Sequence, residues 1–274
     1  MYRYLRYVPK NHLSRTIGRL MHVRWPKPIA RRLVHWFAST YQIDVDEAEH
    51  PHHHYPSIGH FFIRDLREGL RPIEADLVSP VDGTLRGFGI VTEGRLEQIK
   101  GKTYTVASFL GDDELARRYD GGVFFNLYLS PQDYHHVHSP IGGTITRSVH
   151  IPGKLWPVND WSMANISELF SVNERVVTYV ESSYGLVAVV MIGATNVGKI
   201  SVAYDSFISN VPRATSAARS YDPAVPIAAG DRLGTFHMGS SVVVLLEPGR
   251  IDLSRVRLEA GKKVRYGAAV LHSS

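Results

Sequence analysis

The sequence predicts a β-rich α+β fold of antiparallel sheets, entered through an amphipathic helical segment at the N-terminus. Three observations carry this. Short runs rich in β-branched and aromatic residues recur from residue 83 onward, separated by Gly, Pro, Asp and Asn, as in chains of antiparallel strands. Helical spacing is confined to a few short stretches. The first 43 residues hold nine basic side chains and no acidic one, so this segment differs from the body that follows.

The N-terminal segment comes first. Its basic residues (Arg3, Arg6, Lys10, Arg15, Arg19, Arg24, Lys27, Arg31, Arg32) alternate with Tyr2, Tyr4, Leu5, Tyr7, Leu13, Ile17, Leu20, Met21, Trp25, Trp36 and Phe37. A disordered tail would be poorer in aromatics. Pro26 and Pro28 stand where a helix can begin, and Ile29, Leu33, Trp36, Phe37, Thr40 and Tyr41 then fall near one face. Such a helix suits a lipid interface, with basic residues toward head groups, and the same stripe equally suits docking on the protein core. Nucleic acid is the other partner that a basic segment fits; the aromatic content favours the membrane. No stretch reaches the roughly 20 apolar residues that span a bilayer. Met1 to Lys10 lacks the apolar centre of a secretory signal, so a soluble or peripheral protein is expected.

Next, His50, His52, His53 and His54 lie in a polar stretch that reads as a linker, because adjacent histidines point apart and make a poor metal site. Ile58–Leu66 reads as a short amphipathic helix. The texture turns to β past Arg71-Pro72, which sets the expected boundary between a helical segment, 1–71, and a β-rich domain, 72–274. Predicted strands are Gly83–Val91, Val123–Leu129, Gly143–His150, Arg175–Val180, Leu186–Ile192, Lys199–Tyr204 and Ser241–Glu247. Asp113–Tyr119 and Ala164–Phe170 are the expected helices of the body.

At 274 residues with 44% hydrophobic and 21% charged side chains, the chain can bury an ordinary globular core. The absence of cysteine removes disulfides, thiol nucleophiles and zinc–thiolate sites. Neither G-x-G-x-x-G after a strand nor a P-loop occurs, so no nucleotide fingerprint is present.

Three places can carry chemistry. Ser79-Pro80-Val81-Asp82-Gly83 is by itself a turn. In Tyr134-His135-His136-Val137-His138, an extended chain puts His136 and His138 on one face; no carboxylate nearby completes a metal set, so a base oriented by an Asp elsewhere is the better reading. In Met238-Gly239-Ser240-Ser241, a Gly-Ser pair immediately precedes a strongly β-forming run.

Together these residues resemble the phosphatidylserine decarboxylase family. The resemblance runs through Phe61-Phe62-Ile63-Arg64 and Arg71-Pro72-Ile73, the Asp82 segment, and Lys100-Gly101 with Tyr104. It continues through Leu129-Ser130-Pro131-Gln132-Asp133-Tyr134-His135, Val137-His138-Ser139-Pro140, Asn173-Glu174-Arg175 and Gly193-Ala194-Thr195-Asn196-Val197-Gly198, ending at Gly239-Ser240. Two departures are visible. Met238 and Ser241 flank the Gly-Ser pair in place of the family's usual Leu and Thr, and His136 replaces a frequent Arg.

The resemblance implies that Asp82, His138 and Ser240 form a self-processing triad that cuts the chain between Gly239 and Ser240. The products would be a β chain, 1–239, and an α chain, 240–274, whose first residue becomes a pyruvoyl group (bound pyruvate) derived from Ser240. That group would take up the amine of phosphatidylserine as a Schiff base and accept the electrons released with carbon dioxide, giving phosphatidylethanolamine. His135 is expected to assist decarboxylation by handling the proton. The resemblance further implies two packed sheets with helices gathered at the membrane side, no metal, no nucleic acid, and a homodimer. The location expected is peripheral, at the cytoplasmic face of a bacterial cell membrane. A membrane-bound serine hydrolase using the same three residues, though without a Gly-x-Ser-x-Gly elbow, and a non-catalytic lipid-binding module are the alternatives.

Overall fold

The computed structural model describes residues 10–99, 102–158, 160–195, 199–237, 239 and 241–272. Ser240, Met238, Lys100-Gly101, Asn196-Val197-Gly198 and Tyr2 to Tyr7, for which the sequence carries expectations, lie outside the described residues.

Two helices open the chain, α1 (Lys10–Met21) and α2 (Lys27–Thr40). Pro28 falls in the first turn of α2, where its missing N–H has no partner to lose. The predicted stripe on α2 is divided between two surroundings. The buried face is Ala30, Val34, Phe37 and Ala38, which shares only Phe37 with that stripe, while Ile29, Trp36 and Tyr41 stay exposed. Phe37 meets Phe62 edge-on at 6.2 Å between ring centroids. Phe62 belongs to α3 (Ile58–Phe62), which starts where the Ser57 hydroxyl accepts the His60 amide. Val34, Phe37, Ile43, Ile58, Phe61 and Phe62 thus form a small core separate from the main one. The expected helix to Leu66 stops at Phe62. The histidine stretch forms a 3-10 turn, His52–His54, with no metal-binding group of side chains among the described residues.

The body is built on an eight-stranded sheet in which every neighbouring pair is antiparallel. In chain order its strands are β1 (Gly83–Ile90), β4 (Val123–Tyr128), β6 (Gly143–Ile151), β7 (Arg175–Ser182), β8 (Gly185–Ile192), β10 (Ala217–Ile227), β12 (Ser241–Leu246) and β13 (Lys263–Val264). In space they run β10-β6-β7-β8-β12-β4-β1-β13. The central strands explain their own sequences: β12 is buried at every residue, so it reads as a continuous Val-Leu run with no alternation. A second sheet holds β5 (His136–His138), β9 (Ile200–Val202) and β11 (Arg232–Phe236), in the order β5-β11-β9. Both sheets contribute to one apolar core. Gly234 of β11 makes this possible, because a Cβ there would meet Met191 Sδ of β8 at 2.8 Å. A hairpin of β2 (Arg95–Ile99) and β3 (Lys102–Thr105) and the short helices α4 (Val106–Leu110), α5 (Asp113–Arg117), α6 (Asp160–Asn165) and α7 (Leu169–Val172) complete the fold.

All seven predicted strands are present, as is the helix at Asp113. The predicted helix Ala164–Phe170 is instead a break between α6 and α7, with Glu168 in the left-handed region at φ 52°.

Buried polar residues hold the loops around the sheets. Asn173 donates its side-chain amide to the carbonyls of Trp156 and Gly193 and accepts the Trp156 amide. Arg175, 2% exposed, donates to the carbonyls of Ser108, Phe109, Ser171 and Asn173. Burial lowers its pKa to about 10. Glu174 accepts from His150 at 2.8 Å and from the Asn210 amide at 2.7 Å. The Asn-Glu-Arg triplet is therefore a structural clasp at the start of β7.

Candidate active site

Gly239 lies in the crossing from β11 of the small sheet to β12 of the large one. This crossing is fixed at both ends. The Phe236 amide donates to the His135 carbonyl at 2.9 Å, and Ser241 enters the ladder between Tyr128 of β4 and Ile192 of β8.

The β5–β11 ladder sets His136 opposite Thr235 and Val137 opposite Gly234. Alternation then gives the three histidines different surroundings. His136 and His138 share a face with Tyr134, whose ring centroid lies 5.0 and 5.7 Å from theirs. Val137 is fully buried. His135 instead packs on Phe62 of α3, with ring centroids 3.9 Å apart.

Hydrogen bonds decide the tautomers, since a carbonyl only accepts. His135 Nδ1 donates to the Asp133 carbonyl at 2.8 Å, which leaves Nε2 as the unprotonated nitrogen. That Nε2 is buried and has no hydrogen-bond partner among the described residues. It faces Gly239: a Cβ built there would lie 3.4 Å from His135 Nε2 and 3.2 Å from the Leu129 carbonyl oxygen. A side chain at 239 would be tight against the Leu129 carbonyl and in ordinary contact with the imidazole. Burial, helped by the Arg64 charge, holds the His135 pKa well below its ordinary value, so the ring is a neutral base at pH 7.

His138 Nδ1 donates to the Gly230 carbonyl at 2.6 Å, and Nε2 lies 3.3 Å from the Tyr134 hydroxyl. The Tyr266 ring lies parallel on the imidazole at 3.9 Å. Burial is the main reason its pKa falls to about 4, with Arg232 adding to it and the Gly230 carbonyl and Asp82 opposing. His136 spends both nitrogens on the fold: Nε2 donates to the Ile63 carbonyl at 3.0 Å and Nδ1 takes the Thr235 hydroxyl at 2.7 Å. No donor remains there to replace the arginine usual in the family.

Asp82 is buried beside them, because the His138 amide donates to the Pro80 carbonyl at 2.8 Å. Its partners are Arg71 and the Tyr266 amide at 2.9 Å, not His138. Burial alone would lower the pKa of Arg71, but its bonds to Asp82 and Glu47 outweigh that and raise it. Asp82 and His138 are thus brought to the same place without a direct bond, joined through Tyr266. Ser240, the third residue expected of the triad, is not among the described residues.

The sequence reading assigned no role to several residues here. Arg71 and Arg64 stood in quoted motifs, but a motif does not state what a guanidinium touches. Arg64 is 4% exposed, with Nε and one terminal nitrogen lacking partners among the described residues, and its pKa is lowered mainly by burial. Tyr266 lies far along the chain in a stretch with no distinguishing pattern, and no sequence signal marks it.

The arrangement provides a neutral imidazole aimed at a glycine at the end of a strand. A second imidazole and a carboxylate lie nearby, and no metal-binding group is found among the described residues. A family model described as phosphatidylserine decarboxylase matches residues 58–272. A phosphatidylserine decarboxylase proenzyme from Anaeromyxobacter sp. (strain K) is 45% identical over 268 residues, covering 96% of this chain and 94% of the relative. The Myxococcus xanthus (strain DK1622) proenzyme of the same name is 44% identical over 247 residues, 89% of this chain and 88% of its own. That of Brevibacillus brevis is 36% identical over 268 residues, with shares of 96% and 94%. With a family model and close relatives matching most of its length, and with His135 set against Gly239, this chain belongs to the phosphatidylserine decarboxylase family.

Proposed function

We propose that the chain is made as a proenzyme, cuts itself between Gly239 and Ser240, and then decarboxylates phosphatidylserine to phosphatidylethanolamine. Beside family membership, the observation that supports this is the unpartnered Nε2 of His135 against Gly239. In processing, the Ser240 hydroxyl attacks the Gly239 carbonyl and the acyl group moves from nitrogen to oxygen. Removal of the Ser240 Cα proton then breaks the ester C–O bond, which releases the Gly239 carboxylate and leaves dehydroalanine. Water converts this to a pyruvoyl group with loss of ammonia. A serine hydroxyl needs a base and the base an orienting group, roles assigned to His138 and Asp82.

The residues fit such a group following Gly239: the position before it is glycine, and a buried imidazole nitrogen with no partner among the described residues adjoins that glycine. When bound, its carbonyl supplies an electron sink for the pair left by departing carbon dioxide. His135 is assigned the proton that must reach the substrate carbon. Phe62 packs on the His135 ring and shields it from solvent.

One observation favours a second assignment. His135, rather than His138, is the imidazole touching the Gly239 side of the bond, which would make it the processing base as well. Intact mass separates the readings. Wild type should give fragments 1–239 and 240–274, the latter with a blocked N-terminus, and Ser240→Ala one chain. His138→Gln should stay whole, and His135→Gln should be cut but unable to decarboxylate. An uncut His135→Gln selects the second assignment; an uncut wild type removes the proposal and favours a hydrolase.

Among the described residues no helix is long and apolar enough to cross a membrane. Leu20, Trp25, Ile29 and Trp36 are exposed on the first two helices and the turn between them, a segment that also carries Arg19, Arg24, Arg31 and Arg32. This supports peripheral binding to an anionic leaflet at the cytoplasmic face, worth about 1 kcal/mol for each basic residue near the surface.

A further inference from the structure

A cavity of about 360 Å³ opens beside the site, between α1, the segment after β11 and the loop that follows β9. Arg19, His22, Lys199 and His237 form one part of its wall, and Ile208 and Val211 another; no acidic side chain lines it. Ile208 and Val211 are 43% and 54% exposed, so the apolar part is its rim. His237 is 9% exposed, and its Nδ1 has no partner among the described residues. The Ser201 hydroxyl lies 3.1 Å from Nε2; when it donates there, the ring proton sits on Nδ1 as an unused donor. Burial first, then the charges of Lys199, His22 and His136, keeps that ring neutral, with a pKa of about 3.

His237 stands two residues before Gly239, a reach of at most about 7 Å. The cavity also borders the site from the other side. His22, just after α1, packs on His60 and His237 at 5.6 and 5.8 Å between ring centroids, and α3 carries Phe62 from there to His135. The loop wall is held by Glu174, which accepts the Asn210 amide.

We propose that this cavity binds the phosphodiester and glycerol stem of the phospholipid substrate. Lys199 and Arg19 are its counter-ions, His237 donates to a phosphate oxygen, and Ile208 and Val211 receive the start of the acyl chains. This rests on the decarboxylase reading, since a serine head group separates its amine-bearing carbon from phosphorus by only a few bonds. Cations on one wall and an apolar rim on the other fit a glycerophospholipid better than a free anion, and the absence of carboxylates leaves the phosphate unopposed.

Binding is measured first in chains carrying Ser240→Ala, which need no turnover, by calorimetry with sn-glycero-3-phosphoethanolamine. Adding Lys199→Gln should raise the dissociation constant about tenfold, and Arg19→Gln should raise it less. In the processed enzyme, Lys199→Gln should raise KM for micelle-free dihexanoyl phosphatidylserine about tenfold with kcat within twofold. Equal melting temperature and extent of cutting show that the variant is folded. Unchanged binding and KM, or a loss confined to kcat, overturns the proposal. Inorganic phosphate binding as tightly as the glycerophospho compound overturns the part given to the glycerol stem. An uncut or inactive wild type would instead count against the decarboxylase reading, while the calorimetry still decides for the cavity.

Discussion

The Asp82 carboxylate lies across the Arg71 guanidinium, meeting Nε at 3.1 Å and one terminal nitrogen at 2.6 Å, while Arg71 reaches Glu47 with its other edge. The acid expected to support His138 is therefore clamped from the N-terminal side of the fold. Removing one member of a buried pair leaves the other charge uncompensated. Arg71→Ala should cost about 3 kcal/mol of unfolding free energy, read by urea denaturation in a Ser240→Ala background. The same change should slow cutting of the otherwise native chain; unchanged stability would show the clamp to be incidental.

The buried histidines set a pH dependence with a definite sign. His136 and His138 are lowered to about 4 and His237 to about 3, chiefly by burial, and burial also holds His135 well below its ordinary value. Between pH 6.5 and 4 the unfolded chain binds protons that the folded chain refuses, so stability falls as pH drops through that window. Each ring contributes a slope of up to about 1.4 kcal/mol per pH unit. His136→Gln should flatten the slope by about one proton, in urea titrations from pH 7 to 4.

The same lowering predicts the course of self-processing. A base already neutral has nothing to lose between pH 6 and 8, so the cutting rate after cell-free synthesis should be flat there. A sigmoid with its midpoint near 6.5 would mean that an ordinary, solvated histidine takes the proton.

Arg175 should tolerate no substitute. It satisfies four carbonyls from one planar fork, which a lysine ammonium cannot reproduce. Arg175→Lys and Arg175→Met should each lower stability by more than about 2 kcal/mol, while Glu181→Gln on the exposed end of the same strand should change it by less than about 0.5 kcal/mol.

Trp25, between α1 and α2, and Trp36, on α2, are 44% and 59% exposed in the segment that carries the basic residues. Replacing both by Ala should reduce co-sedimentation with phosphatidylglycerol vesicles at least fivefold and leave cutting intact. Equal sedimentation would assign the exposed rings to another partner. Deleting residues 1–43 is a poorer test, because it also removes Val34 and Phe37 from the small core and Arg19 and His22 from the cavity.

What the sequence revealed follows from burial. Strands such as β8 and β12 are apolar at nearly every position because both faces are covered, so they stand out from composition alone. The longest strand, β10, gave no signal: it is an edge, mostly exposed, and carries Pro223 and Pro226, which a central strand would exclude. The site was legible as residue types in part: Asp82 and His138 lie together beside Tyr266, and His135 lies against Gly239. Their bonding was not, because the Arg71 clamp and the Tyr266 ring come from segments remote in sequence. The stripe on α2 could be read for membrane or core, and the helix uses it for both purposes, with Phe37 inward and Trp36 outward.

Ser241 opens β12, and β12 is laced on one side to β4 and on the other to β8. A cut just before it frees a chain end but no fragment: the 35 residues that follow are the middle plank of the large sheet, and β13 fastens them again at its edge. The mature protein is then two polypeptides with a single melting transition, separable only by denaturation. A terminus made by the proposed cut would therefore lie at the seam between the two sheets, with the large sheet's ladder on both sides of β12 intact.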